Sequence, residues 1–168
     1  MLKLRRCLLL AVLLAVPVRA TTVKRLDLDG LVSTAETIVV GEVLGSETYW
    51  TLDRRVILTR HTILVDETLK GAVEETIEVT IVGGTIGDIV LYVAGMPAFT
   101  AGERTVLFLE SSSRYRTVVG LGQGKFRVDG DFIANEVSEL EFSDGRPASP
   151  TRMPFAQFRE EIRQRLDR

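Results

Sequence analysis

Between residues 55 and 69 the chain alternates. Ile57, Thr59, His61, Ile63 and Val65 fall on one face, and Arg60, Thr62, Leu64 and Asp66 on the other. A period of two is the geometry of a β-strand, whose successive side chains point to opposite sides. The run is about fourteen residues long, well over twice the usual strand of about six. A bend is therefore expected, of the kind a strand makes around a barrel. Lys70-Gly71 ends it.

Shorter strand signals flank this run. Thr37–Leu44 is rich in β-branched residues, with Val39, Gly41 and Val43 on one face; the mid-strand Gly41 predicts a bulge or sharp bend. Thr76–Val82 sets Ile77, Val79 and Ile81 against Thr76, Glu78 and Thr80, and Gly83-Gly84 breaks it. Ile89–Val93 is a short candidate strand. Arg104–Leu109 is a nearly continuous apolar run, the pattern of a strand buried on both faces. Tyr115–Val119 follows a turn at Ser111–Ser113, and Phe126–Phe132 centres on Asp129-Gly130, a strong hairpin signal. Before the first strand, Leu31–Glu36 has room for one or two helical turns capped by Asp29. Residues 143–153 read as a linker. From Pro154 a helix is predicted over 154–168, with Phe155, Phe158, Ile162 and Leu166 as its apolar stripe between charged flanks. It is expected to pack on the sheet, with docking to a partner as the alternative.

Seven or eight short strands and a terminal helix predict an all-β domain over residues 21–142. The expected form is a small closed OB-like barrel with a short N-terminal helical turn and a C-terminal amphipathic helix. An immunoglobulin-like β-sandwich is the alternative.

The amino end reads as an export signal. Lys3, Arg5 and Arg6 precede an apolar run from Cys7 to Val18, and Ala20 stands at the cut. Taking residues 1–20 from the 168 leaves 148. Lys3, Arg5, Arg6 and Arg19 leave with them, so 17 basic residues face 23 acidic ones and the net charge becomes −6. The only cysteine, Cys7, is also removed. This excludes disulfides, cysteine metal sites and cysteine nucleophiles from the mature chain. The acidic balance argues against nucleic acid as partner. A single histidine excludes multi-histidine metal sites. No segment after residue 20 has the ~20 apolar residues of a membrane span. The expected location is the periplasm or outside the cell.

His61 is the only imidazole base, and catalysis would need a nucleophile and an orienting acid beside it. Its strand face is otherwise apolar, so a packed histidine is the alternative. No Gly-x-Ser-x-Gly or His-Glu-x-x-His motif occurs. Gly120–Lys125 lacks the spacing, the hydroxyl residue and the following helix of a phosphate loop; it reads as a crossover between strands. Gly83-Gly84 and Gly87 read as turn residues. Asp27, Asp29, Gly30 and Glu36 match part of a calcium loop, but Arg25 stands where an anionic first ligand is needed. These residues imply no metal and no cofactor. Two places suggest contact surfaces. Tyr49 and Trp50 fall where the first hairpin is expected to turn. Met96, Pro97 and Phe99 lie in an apolar loop between Gly95 and Gly102. Exposed, that loop would be a contact tip; folded back, it would plug one end of the barrel.

The segments Ala35–Val43, Thr62–Gly71, Gly83-Gly84 with Gly87, Gly95–Glu103, Val106–Leu109 and Val119–Phe126 resemble a group of exported bacterial proteins of unknown function. Related segments in that group can precede matrixin-type metalloprotease domains. Their strand–Gly–strand, Leu-Lys-Gly and Leu-Phe-Leu skeleton is also similar to the netrin/tissue-inhibitor-like OB barrel. The resemblance covers residues 35–128 and rests on turns and core strands. It implies the fold and a possible association with a secreted protease. The inhibitors of that superfamily reach a catalytic zinc through an amino-terminal cysteine. The expected mature start here is Thr21, so that mechanism is not implied, and no catalytic residue is carried over.

The expected function is thus a non-enzymatic binding or interaction module for a protein partner outside the cytoplasm. Its contact residues would be Tyr49, Trp50, Met96, Pro97 and Phe99. The alternatives are an accessory or regulatory domain for a secreted metalloprotease, and a hydrolase using His61.

Overall fold

The computed structural model describes residues 22–112 and 114–168. The expected export signal, residues 1–20, lies outside them. The long alternating run forms β3, Ile57–Lys70. On one side it pairs antiparallel with β2, Thr37–Trp50, and on the other with β4, Thr76–Val82. β2 also pairs with β7, Arg104–Ser112. β7 in turn pairs with β8, Tyr115–Val118, and with β9, Lys125–Asp129. β9 turns through Gly130 into β10, Phe132–Asn135, which pairs with β12, Arg152–Pro154. Two small ladders stand apart from this sheet. β5, Gly84–Ile86, pairs with β6, Ile89–Leu91; β1, Thr22–Val23, runs parallel to β11, Glu141–Phe142. Among the described residues the two α-helices are α1, Leu28–Thr34, and α2, Phe155–Leu166. The fold is mostly β, as the sequence predicts.

The expected closed barrel is not formed. The main sheet runs β12-β10-β9-β7-β2-β3-β4, with β8 joined to β7. Among the described residues no ladder ties β4 to β8 or to β12. β8 offers only four residues, all registered on β7. β8 lies beside β4 without joining it in a ladder. The predicted bend is present. The β2–β3 register shifts between Ile38 and Val39, between Val40 and Gly41, and between Val43 and Gly45. Gly41 is required there, because a Cβ on it would lie 2.4 Å from the Leu64 carbonyl oxygen. A strand kinked at a bulge brings the two backbones too close for any side chain.

The sheet buries both faces, and the alternation decides which residue goes where. Ile38 and Val40 of β2 and Val106 and Phe108 of β7 face the helices. There they meet Leu31 and Val32 of α1 and Phe158 and Ile162 of α2. Val39, Val43, Leu107 and Leu109 face the other way, into a second cluster with Ile63, Ile77, Val79 and Val118. This accounts for the unbroken apolar run of β7: Val106, Leu107, Phe108 and Leu109 are all fully buried. The apolar stripe of α2 is its docking face. Burying Phe158 and Ile162 contributes roughly 1.5–3 kcal/mol each. The Phe158 ring packs on Phe126 at 4.6 Å and edge-on to Phe108 at 6.2 Å.

The helical turn starts earlier than expected. Asp27, not Asp29, is the N-cap, its carboxylate accepting from the Gly30 amide at 2.8 Å. With Leu28 inside the helix, Asp29 falls in the first turn and pairs instead with Arg165 of α2 at 2.8 Å. Lys70, at the end of β3, donates to the Val32 and Ala35 carbonyls at the helix C-terminus. The position that the calcium-loop match left to Arg25 belongs to a clasp. Arg25 pairs with Asp144 at 2.9 Å and lies 3.8 Å over the Phe142 ring.

Candidate functional site

The Gly95–Gly102 loop is folded back, not presented as a tip. Pro97 is buried, and Met96 and Phe99 are partly buried. Its ends are stapled by main-chain bonds. The Gly122 amide donates to Gly95, Gly102 donates to Val43 at 2.8 Å, and Val43 donates to Glu103 at 2.9 Å. With both ends held against the sheet, Phe99 turns inward and packs on the second core cluster.

Beneath Phe99 lies the one histidine. The His61 ring is 4% exposed, and its Nδ1 shares a 2.6 Å hydrogen bond with Ser46 Oγ. The two residues are register partners on β3 and β2. Nε2 has no hydrogen-bond partner. Burial, and secondarily the positive charge of Lys125, lower the His61 pKa to about 4, so the ring is neutral at neutral pH. Lys125 lies on the other side of the loop, its Nζ 5.1 Å from the Phe99 ring centre, and forms an ion pair with Glu103. Both partners keep only 9% of their side-chain surface. The structure thus brings a serine to His61, which the sequence did not show. It places no carboxylate on the ring to orient it. Ser46 Oγ meets Nδ1, and Nε2 is buried without a hydrogen-bond partner. Among the described residues no three His, Cys, Asp or Glu side chains converge as a metal site.

Tyr49 and Trp50 are not in a turn. They belong to β2, paired with Leu58 and Ile57, and the turn comes after them at residues 51–56. β-branched and aromatic residues favour continuing a strand, and here they carry the ladder past the point where the sequence suggested a reversal. Both side chains are partly exposed, and the Arg60 guanidinium lies 5.3 Å from the Tyr49 ring. At the same level the β5–β6 hairpin leaves the sheet. The Gly83 amide donates to Ile57, and Thr59 Oγ1 donates to the Gly83 carbonyl at 2.7 Å. Gly84, at φ +133°, passes so close that a Cβ would lie 2.4 Å from Thr59 Oγ1. The hairpin exposes Ile89, Val90 and Tyr92 at 54%, 67% and 67%. They form an exposed apolar stretch, with the Tyr92 hydroxyl bonded to Glu139, and Trp50 lies nearby, paired with the Ile57 to which the hairpin's base is bonded. The sequence carried one signal for it: Ile89–Val93 is an apolar run with no polar alternation.

A concavity of about 810 Å³ lies beside β4 and the β7–β8 hairpin. Val73, Glu74, Thr76, Ile77 and Glu78 line one wall and Arg114, Tyr115 and Arg116 the other.

Compared with models of protein families, with curated proteins and with solved structures, the chain matches none.

Proposed function

We propose that this chain is a non-enzymatic interaction module, built on a mostly β scaffold, that docks a protein partner outside the cytoplasm. The supporting observation is the exposed apolar stretch of Ile89, Val90 and Tyr92, with Trp50 nearby. Ile89 and Val90 on the hairpin and Tyr92 just beyond it are each more than half exposed, and clustered exposed apolar side chains mark a contact surface. Aromatic residues at its margin are the usual anchors of such contacts. The export signal read from residues 1–20 supports the location. A secreted metalloprotease is the partner class that the sequence resemblance suggests.

The test is to express the tagged full-length chain in its source cell beside a Val90→Lys/Tyr92→Ser variant and a Trp50→Ala variant, and to cross-link. A discrete adduct on the wild-type chain, lost from the first variant and weakened in the second with circular dichroism unchanged, is expected. Identical adducts on all three folded proteins would overturn the reading. If a protease is the adduct, adding the purified chain changes its rate or lifetime.

A hydrolase reading has one observation in its favour, the 2.6 Å contact between Ser46 Oγ and His61 Nδ1. It requires that a fluorophosphonate probe label Ser46 and that His61→Gln abolish the labelling. An unlabelled Ser46 in the folded protein removes that reading.

A further inference from the structure

The concavity beside β4 is bordered by charges of both signs that do not meet. Glu74, Thr76, Glu78 and Thr80 border it from β4 and the segment before β4, and Arg114, Tyr115 and Arg116 from the β7–β8 hairpin. Ile77 and Val79 alternate with the β4 residues and belong to the second core cluster, so Thr76, Glu78 and Thr80 face away from that core. β8 lies close beside β4. The concavity is therefore a surface hollow next to the two strands, not a gap between them.

Elsewhere on the sheet and on α2, arginines hold carboxylates. Arg60 pairs with Glu47, Arg104 with Asp66, and Arg159 and Arg163 with Glu67. At the hollow, among the described residues, Glu74, Arg114 and Arg116 enter no ion pair. Glu78 reaches only Arg60, at 3.4 Å, and keeps 61% of its side chain exposed. Thr80 adds a polar group already withdrawn from bulk water. It is 7% exposed, it borders the hollow, and its hydroxyl makes no hydrogen bond to the described residues. Buried polar groups ordinarily have a partner.

The balance of charge narrows the ligand. A lone anion drawn to Arg114 and Arg116 is repelled by Glu74 and Glu78, and a lone cation meets the reverse. A solute that carries both signs gains from both pairs. Guanidinium forks suit a carboxylate or a phosphate. The volume of about 810 Å³ is within the range of small-molecule sites, roughly 300–1,000 Å³.

We propose that this hollow binds a small zwitterion. Its anionic group lies on Arg114 and Arg116, its ammonium on Glu74 and Glu78, and a polar group of its body on the Thr80 hydroxyl. The site shares no residue with the surface of Ile89, Val90, Tyr92 and Trp50, so it stands or falls separately from the docking reading.

The test is to titrate the isotope-labelled full-length chain and follow its amide chemical shifts. The zwitterions are glycine, γ-aminobutyrate, ε-aminohexanoate and triglycine. Hexanoate and hexylamine carry one charge each, and maltotriose carries none. Expected are shifts within Thr76–Thr80 and Tyr115–Val118 with at least one zwitterion. Both single-charge probes should bind at least about tenfold more weakly, the loss of one charge-assisted contact. Arg114→Gln/Arg116→Gln and, at an exposed position, Glu74→Gln should each weaken the same zwitterion about tenfold with the rest of the spectrum unchanged. Val90→Lys/Tyr92→Ser should bind it as the wild type does. No shift with any zwitterion, or shifts confined to other residues, would overturn the proposal. So would a single-charge probe that binds as tightly as the best zwitterion, or maltotriose binding equally well to the wild type and to the charge variants.

Discussion

The His61 and Phe99 rings stack with centroids 4.2 Å apart and planes 26° from parallel. The contact ties the middle of the Gly95–Gly102 loop to β3, while Lys125 and Glu103 close over it from β9 and from the loop's own end. The stacking contact and the buried ion pair add to the main-chain bonds that staple the loop's two ends.

Stability should fall with acid through His61. Its pKa in the folded chain is about 4, against 6.5 unfolded. Above pH 6.5 the ring is neutral in both states and contributes no pH dependence. Between 6.5 and about 4 the unfolded chain takes up the proton and the folded chain does not, so stability drops as pH falls, by up to about 1.4 kcal/mol per pH unit. Below about 4 this dependence ends. Urea melts at pH 7, 5.5 and 4.5 should show the loss in the wild type and a shallower slope in His61→Phe. Equal slopes would mean the ring titrates as if in water.

Removing one member of the Lys125–Glu103 pair should be far worse than removing both. Glu103→Ala leaves a buried ammonium without its partner and should cost about 3–5 kcal/mol. Glu103→Leu with Lys125→Met removes both charges and should recover most of that. Chemical denaturation of the two variants gives the comparison, and a double variant as unstable as the single would contradict it.

Two glycines four residues apart should respond oppositely. Gly41→Ala drives a methyl into the Leu64 carbonyl and should cost about 1–3 kcal/mol. Gly45→Ala meets nothing within 4 Å and should change stability by no more than about 0.5 kcal/mol. Thermal melts of the pair test whether the bulge, and not glycine content, sets the β2 bend.

Phe158→Ala should unseat α2. The ring is 1% exposed, and its loss leaves a cavity against Phe108 and Phe126 worth about 3–5 kcal/mol. A cost under about 1 kcal/mol would mean that the helix contributes little to the core on which it lies.

The strands were legible where their pattern was local. The alternation of Ile57–Val65 and Thr76–Val82, the continuous apolar run of β7, the bulge at Gly41 and the stripe on α2 all follow from spacing within one segment. Closure was not legible, because it depends on whether β8 reaches β4, and nothing in Tyr115–Val118 states which strand lies beside it. The extension of β2 through Trp50 was not legible because the β-branched run ends at Leu44, and it is pairing with β3 that carries the strand on to Trp50. Phe99 was visible as an apolar loop residue, but its direction was not. Ser46 and His61 stand 15 residues apart and meet through the β2–β3 register; Glu103 and Lys125 stand 22 apart, and the folded-back loop end just before β7 carries Glu103 to Lys125.

β7 is bonded to β2, β8 and β9, yet it begins only at Arg104. A chain emerging amino end first completes the β2–β3–β4 meander while the inner edge of β2 is still bare and its apolar faces lack Val106–Leu109 and, on one side, α2. No later strand can dock until residues 104–109 arrive. Assembly therefore has a gate in time, set by the position of one strand along the chain. Before it opens, the meander is open to association with other chains, as unpaired edges and exposed apolar surface are in any slowly completed sheet. After it opens, three ladders form on one strand and the two halves of the fold become a single cooperative unit.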